Sequence, residues 1–311
     1  MAEDQRLRRL KLRDLHILQV VADAGSMAKA APRLAMSQPA VSRVIAEMEQ
    51  TLGVPMFDRT SAGVELTAYG AILCRRATNV ADEVKQGLGE LDFLADPTQG
   101  EIRIGSTAPM TALVSTILQR MSSAYPRIVF HVIAADTLEL FRHLRNRAID
   151  VAITRMTQDF AESDLDAEPL FEDELAVIAG KQNKLARRRN LTLKDLMEER
   201  WVFGPPESSF LSPFIEEAFR AEGLSVPPAT VVGNSSYLSN NLLVAGPFLT
   251  ILPRALLRYP RRHPTLVALS ARLPTTRRPI GIVRLRHRSM SPITSIFCEL
   301  ARDASKQMRT P

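Results

Sequence analysis

Gln38, Pro39, Ser42 and Arg43 fall within one short segment that opens on Ser37. An amide, a hydroxyl and a guanidinium presented together are groups that pair with base edges and phosphates; none of them is a nucleophile with a base beside it. The chemistry they suggest is recognition of a polyanion. Ser37 can cap a helix in which Pro39 is tolerated in the first turn. Within that helix Val41, Ile45, Met48 and Leu52 follow 4, 3, 4 spacing, so at about 100° per residue they form one inward stripe. Pro39, Arg43, Ala46 and Gln50 fall on the opposite side, with Gln38 and Ser42 flanking near the amino end that a recognition helix points at bases. Gly53 ends the helix.

The elements around it must hold that face outward. Ser26 is placed to cap a short helix whose inward positions are Met27, Ala30, Ala31 and Leu34. Its alanines let the second helix approach closely, and two helices joined by a tight turn make a helix-turn-helix. Leu15, Leu18 and Ala22 give Leu12 to Ala24 one apolar face, enough for a third, supporting helix. After Gly53, the segments 54–59 and 64–67 flank the turn 60–63 and read as a two-stranded wing. Arg59 lies toward the wing tip, and Phe57 is expected to plug the core.

The order of helix, SMAKAAPRLAMSQPAVSRVIAEMEQTLG, PMFDRT and LTAYG resembles the LysR-type transcriptional regulator family, strongly from about Leu12 to Gly70 and in layout and a few local patterns beyond. The resemblance implies that Gln38, Pro39, Ser42 and Arg43 meet the major groove, Ser26 and Ser37 the DNA backbone, and Arg59 the duplex through the wing.

At 311 residues with 45% hydrophobic content, the chain can form more than one compact domain. A net charge of +6 suits a polyanion partner, yet its distribution does not locate the DNA-binding unit. From Met1 to Arg76 there are 11 basic and 8 acidic residues, against 9 and 2 from Ala271 to Pro311. The basic leader Arg6 to Arg13 can track phosphates or simply be solvated. No stretch approaches the roughly 20 apolar residues that cross a bilayer, and the charged start lacks the apolar region of a secretion signal. A cytoplasmic protein without membrane partners is expected. Cys74 and Cys298 are too few for a disulfide framework and fit a reducing compartment.

From Thr67 to Ala95 no proline interrupts a run in which Leu73, Ala77, Val80, Val84, Leu88 and Leu91 step by 4, 3, 4, 4, 3. This is close to a heptad seam, on a helix about 40 Å long. Thr67 is the expected cap, and the segment 96–100, with Pro97 and Gly100, the stop and hinge. Such a helix is expected to pair with its copy, the alternative being packing on its own effector domain, and pairing gives two DNA-binding units in a dimer or tetramer.

Beyond Glu101 the texture alternates between strand and helix, which predicts α/β winding with mostly parallel strands. The organisation expected is a winged helix-turn-helix over 1–66, a linker helix over 67–96 and a two-lobed α/β effector domain over 97–311. Lobe I takes about 101–157 and 271–311, and lobe II about 158–270. The two-lobed, periplasmic-binding-protein-like form and the double crossing between lobes are implied by the resemblance; the pattern alone gives only the alternation.

Ligands of such folds bind in a crevice at strand ends and helix starts, where free amides and hydroxyls favour an anion. The candidates are Ser106, Thr107, Thr137, Thr154, Ser208 and Ser209, each of which could equally serve as a cap or turn residue. Asn234, Ser235 and Ser236 form a weaker cluster. Where many relatives carry a glycine-rich turn, this chain has Ala245-Gly-Pro-Phe-Leu-Thr-Ile-Leu-Pro253, in which Pro247 and Phe248 stiffen and fill the edge.

An enzyme reading finds no site: the histidines at 16, 131, 143, 263 and 287 have no metal-ligand spacing, and no Gly-x-Ser-x-Gly or phosphate loop occurs. No cofactor is expected. A free solute-binding protein does not fit an amino-terminal helix-turn-helix. The reading that remains is a regulator whose promoter binding or activation is controlled by a small anionic effector, with RNA polymerase a further partner if it activates. A DNA-binding architectural protein or repressor without a ligand is the alternative.

Overall fold

The computed structural model describes residues 8–61, 63–156, 164–206, 209–233, 235–257 and 263–308. The chain forms two compact units, Met1–Gly89 and Glu90–Pro311.

In the first unit, α1 (Leu12–Ala24), α2 (Met27–Arg33) and α3 (Gln38–Leu52) pack around Ile17, Leu18, Val21, Ala30, Val41, Ile45 and Met48. The predicted inward stripe of α3 is buried at Val41, Ile45 and Met48 and half-buried at Leu52. The wing is β1 (Phe57–Thr60) paired antiparallel with β2 (Gly63–Leu66), and Phe57 enters the core as expected. Glu49 fixes the approach to β1 by accepting from the Met56 backbone N–H at 2.7 Å. Gly63 has φ 144°, and a Cβ there would lie 2.1 Å from the Gly25 carbonyl oxygen, which accepts from Val64 N. Only glycine lets the wing close onto the end of α1. Thr67 starts α4 (Ala68–Ala95) by accepting from Gly70 N at 3.0 Å.

Among the described residues, the second unit has two five-stranded sheets. The first is ordered β4 (Arg127–Ala134), β3 (Gln99–Ser106), β5 (Val151–Arg155), β12 (Arg278–Leu285) and β6 (Leu165–Asp173). Side chains alternate across it. Val151, Ile153, Ile280 and Ile282 meet α5 (Thr111–Ala124) and α9 (Pro292–Ser305), whereas Ala152 and Val283 meet α6 (Thr137–Arg145). Burial on both faces accounts for the continuous apolar run of β5.

The second sheet is ordered β11 (Leu266–Ala268), β7 (Leu175–Gly180), β10 (Phe248–Pro253), β8 (Arg200–Phe203) and β9 (Ala229–Val232). Val177 and Ala179 pack with Trp201, Ile215 and Phe219 toward α7 (Ser212–Ala221), while Ala176 and Ile178 meet Leu243 of α8 (Ser236–Ala245).

Two sequence expectations are corrected by this topology. The segment around Glu168, expected in lobe II, is β6, which pairs with β12 over its whole length in the first sheet. The outgoing crossing therefore lies at Glu174, between β6 and β7. The sheets are also mixed rather than mostly parallel. β12 re-enters the first sheet at the edge where β3 and β5 end, so it must run against β5. In the second sheet β7 starts at that same side and runs against β10 and β11. The alternation pattern carries no information on strand direction once a segment changes lobes.

Candidate functional site

At the amino end of α3, Ser37, Gln38, Pro39 and Arg43 are exposed, and Ser42 is half-buried. Ser37 caps the helix, its hydroxyl accepting from Ala40 N at 3.4 Å. Ser26 occupies the N-cap position of α2 but makes no side-chain cap bond. The first turn is closed through its carbonyl, which accepts from Ala30 N at 3.0 Å. The expectation that the Ser26 hydroxyl acts as a cap is thus corrected. Gln38 and Arg43 form no side-chain hydrogen bond or ion pair among the described residues. Arg59 is exposed on β1 opposite Val64. These groups share the properties a duplex requires: donors at a helix amino end, an exposed cation on that helix and another on the wing.

In the second unit the carboxyl ends of β3, β4 and β5 face those of β8, β9 and β10 across a cavity of about 530 Å³. Thr107, Thr137 and Ser209 line it. Ser106 and Thr154 lie behind the wall. Both are fully buried, the Ser106 hydroxyl donating to the Thr107 carbonyl at 2.9 Å and that of Thr154 meeting the Thr137 hydroxyl at 2.7 Å. Ser208 and Asn234 lie outside the described residues. Ser235 caps α8 by accepting from Leu238 N, and Ser236 lines the cavity. Pro247 and Phe248 are not on the wall; Phe248 packs on the cluster of Ala176, Ile178 and Leu243.

Arg155, which the sequence reading passed over, also lines the cavity. It ends β5 and is 3% exposed, yet among the described residues only its Nη1 is bonded, to the Thr276 carbonyl at 2.9 Å. Nε and Nη2 are buried without a hydrogen-bond partner among the described residues. Burial lowers the guanidinium pKa, and the neighbouring Asp173 charge works against that shift. Burial pushes the Asp173 carboxyl up to about 6, despite the Arg155 charge and backbone N–H groups of Ala255 and Glu174. A charged residue closing the run Val151-Ala-Ile-Thr-Arg155 was the available signal, because a cation seldom ends a fully buried strand without a task.

Both thiols are held in the neutral form, Cys298 by burial that pushes it up to about 11 and Cys74 by burial and the Asp23 charge. No helix among the described residues is long and apolar enough to cross a membrane.

Two family models match the chain: the bacterial regulatory helix-turn-helix protein, lysR family, over residues 12–71, and the LysR substrate binding domain over 95–306. The HTH-type transcriptional regulator GbpR of Azospirillum brasilense is 30% identical over 288 residues, covering 91% of this chain and 83% of that protein. Full-length CbnR complexed with its target DNA superposes with a TM-score of 0.63 at 21% identity, over 95% of this chain and all of that one. The regulatory domain of CcmR from Synechocystis PCC6803, in complex with 2-PG, gives 0.59 at 19% identity, over 68% of this chain and all of the domain.

Proposed function

Because the chain belongs to the LysR family of transcriptional regulators, with its DNA-binding and effector-binding domains, we propose that a small anion in the interlobe cleft controls how it engages a promoter. Gln38, Pro39, Ser42 and Arg43 read the major groove, Ser26 and Ser37 hold the DNA backbone, and Arg59 reaches the duplex from the wing. The observation that carries this reading is the contrast within α3. Its inner stripe is buried in the three-helix core, while Gln38 and Arg43 stand exposed with no side-chain partner among the described residues.

The effector site is the cavity wall that includes Thr107, Thr137 and Ser209. Its hydroxyls and the buried Arg155 favour an anion. Two copies associate through α4, whose Val80, Val84, Leu88 and Leu91 are exposed on one stripe, and pairs of dimers form a tetramer. The protein acts in the cytoplasm, as a regulator rather than a catalyst, and touches RNA polymerase where it activates. Closure of the two lobes shifts the population between assemblies, which requires that the effector bind one of them more tightly.

Footprinting on the protein's own promoter region tests the whole reading. The expected result is a protected segment long enough for two half-sites, whose extent changes when a cleft ligand is added. Protection equally strong on random DNA would sink it.

A further inference from the structure

Nε and Nη2 of Arg155 lie on one edge of the guanidinium, the edge that offers two parallel N–H groups to a carboxylate. Both are without a hydrogen-bond partner among the described residues and are buried in the wall to which Arg155 contributes, so a carboxylate takes them up by displacing the atoms that cover them. A buried cation with idle donors is destabilising, and proteins retain that burden chiefly where binding needs it. Asp173 does not use the fork. Its Oδ1 accepts from Ala255 N at 3.1 Å, its Oδ2 is unpartnered, and it is not on the cavity wall. It compensates the Arg155 charge from behind.

The remaining wall decides how much charge a ligand can carry. Arg155 is the only lysine or arginine among the described lining residues, while Asp136 and Glu216 contribute acid. Phe203, Phe210, Leu211, Ile215 and Val226 supply apolar surface. A second anionic group on the ligand would meet no further lysine or arginine among the described lining residues and would face carboxylates.

We propose that Arg155 anchors a monocarboxylic acid side-on through Nε and Nη2, with the apolar body of the ligand against Phe203 and Phe210, and that the same guanidinium transmits occupancy to the interlobe crossings. The last step rests on Thr276, whose carbonyl holds Nη1. Thr276 lies in the returning crossing between β11 and β12. Its hydroxyl donates to the Leu273 carbonyl at 2.9 Å and accepts at 3.2 Å from the N–H of Leu175, the first residue beyond the outgoing crossing. A carboxylate seated on the fork therefore acts on a group whose third nitrogen is tied to both crossings. The inference rests on the reading of the cleft as a small-anion site and narrows it to one class.

The test uses the full chain, with hexanoate, 3-phenylpropanoate, its neutral amide 3-phenylpropanamide, succinate and inorganic phosphate as probes. Calorimetric titration gives affinity. Trp201, the sole tryptophan, reports on the cleft because it stacks on the lining Phe203 at 5.2 Å. Hexanoate or 3-phenylpropanoate should bind and change the fluorescence, and the amide should bind at least tenfold more weakly. Arg155→Gln and Arg155→Lys should each lose tenfold or more in monocarboxylate affinity while keeping promoter DNA binding, which reports that they fold. Ser209→Trp, which fills the cavity, should block every probe. Monocarboxylate affinity unchanged in both Arg155 variants, or succinate or phosphate preferred, overturns the anchor but leaves a ligand cleft standing if Ser209→Trp still blocks. No binding of any probe to the unaltered protein removes the anchor and the small-anion reading together.

Discussion

The hydroxyls of Thr137 and Thr154 meet at 2.7 Å inside the first lobe, joining the start of α6 to the end of β5. Neither residue is more than 3% exposed. The pair fixes the relative height of two elements whose ends form the cleft wall, so Thr154 shapes the site from behind while Thr137 lines it. Removing one partner leaves a buried hydroxyl unsatisfied, which costs about 1–3 kcal/mol. Thr154→Val is therefore expected to lower unfolding free energy by about that amount, as measured by urea denaturation. A variant as stable as the parent would show that the pair contributes nothing.

Arg43 and Arg59 are both exposed cations, but they should fail differently when shortened. Arg43→Ala removes a group at the base-reading end of α3 and should cost roughly 1–3 kcal/mol on the operator, with a smaller loss on random DNA. Arg59→Ala should weaken both DNAs alike and reduce the salt dependence of binding by about one counterion, as expected of a phosphate contact. Fluorescence anisotropy over a salt series separates the two. Identical behaviour of the variants would contradict the division between groove and wing.

Along α4, Leu88 is 57% and Leu91 64% exposed on the stripe that begins at Leu73. Burying such a row against a second copy gains about 25 cal/mol per Å² of apolar surface. Leu88→Glu with Leu91→Glu places charge in that seam, and sedimentation should show loss of self-association. An unchanged mass distribution would assign the subunit contact elsewhere.

Asp173 gives the protein a pH dependence of defined sign. Its carboxyl holds a proton up to about pH 6 in the folded chain, against an ordinary value of 3.8. Between those values the folded state binds more protons than the unfolded state, so stability falls as pH rises through the window. At 1.36 kcal/mol per pH unit the whole decline is about 3 kcal/mol. Asp173→Asn should flatten it when unfolding free energy is measured from pH 4 to 7. An equal slope in the variant would place the titration on another group.

The amino acids near the start of the chain determine a great deal alone. Ser37, Gly53 and the 4, 3, 4 spacing of Val41, Ile45, Met48 and Leu52 state where α3 begins, ends and turns its face. Helix caps and periodicity act over a few residues, so a linear reading contains them. Tertiary structure decided the rest. The placement of β6 in the first sheet depends on its pairing with β12, more than a hundred residues away. The Thr154 hydroxyl is taken up behind the cleft wall by that of Thr137, 17 positions earlier, a partner that only the folded chain brings to it. Arg155 becomes a candidate anchor because Thr276, 121 positions later, occupies one of its nitrogens and leaves two idle. Local spacing fixes what a residue can offer; contacts between distant segments fix what remains to be offered after folding, because each buried donor must first be reckoned against the partners that packing brings to it.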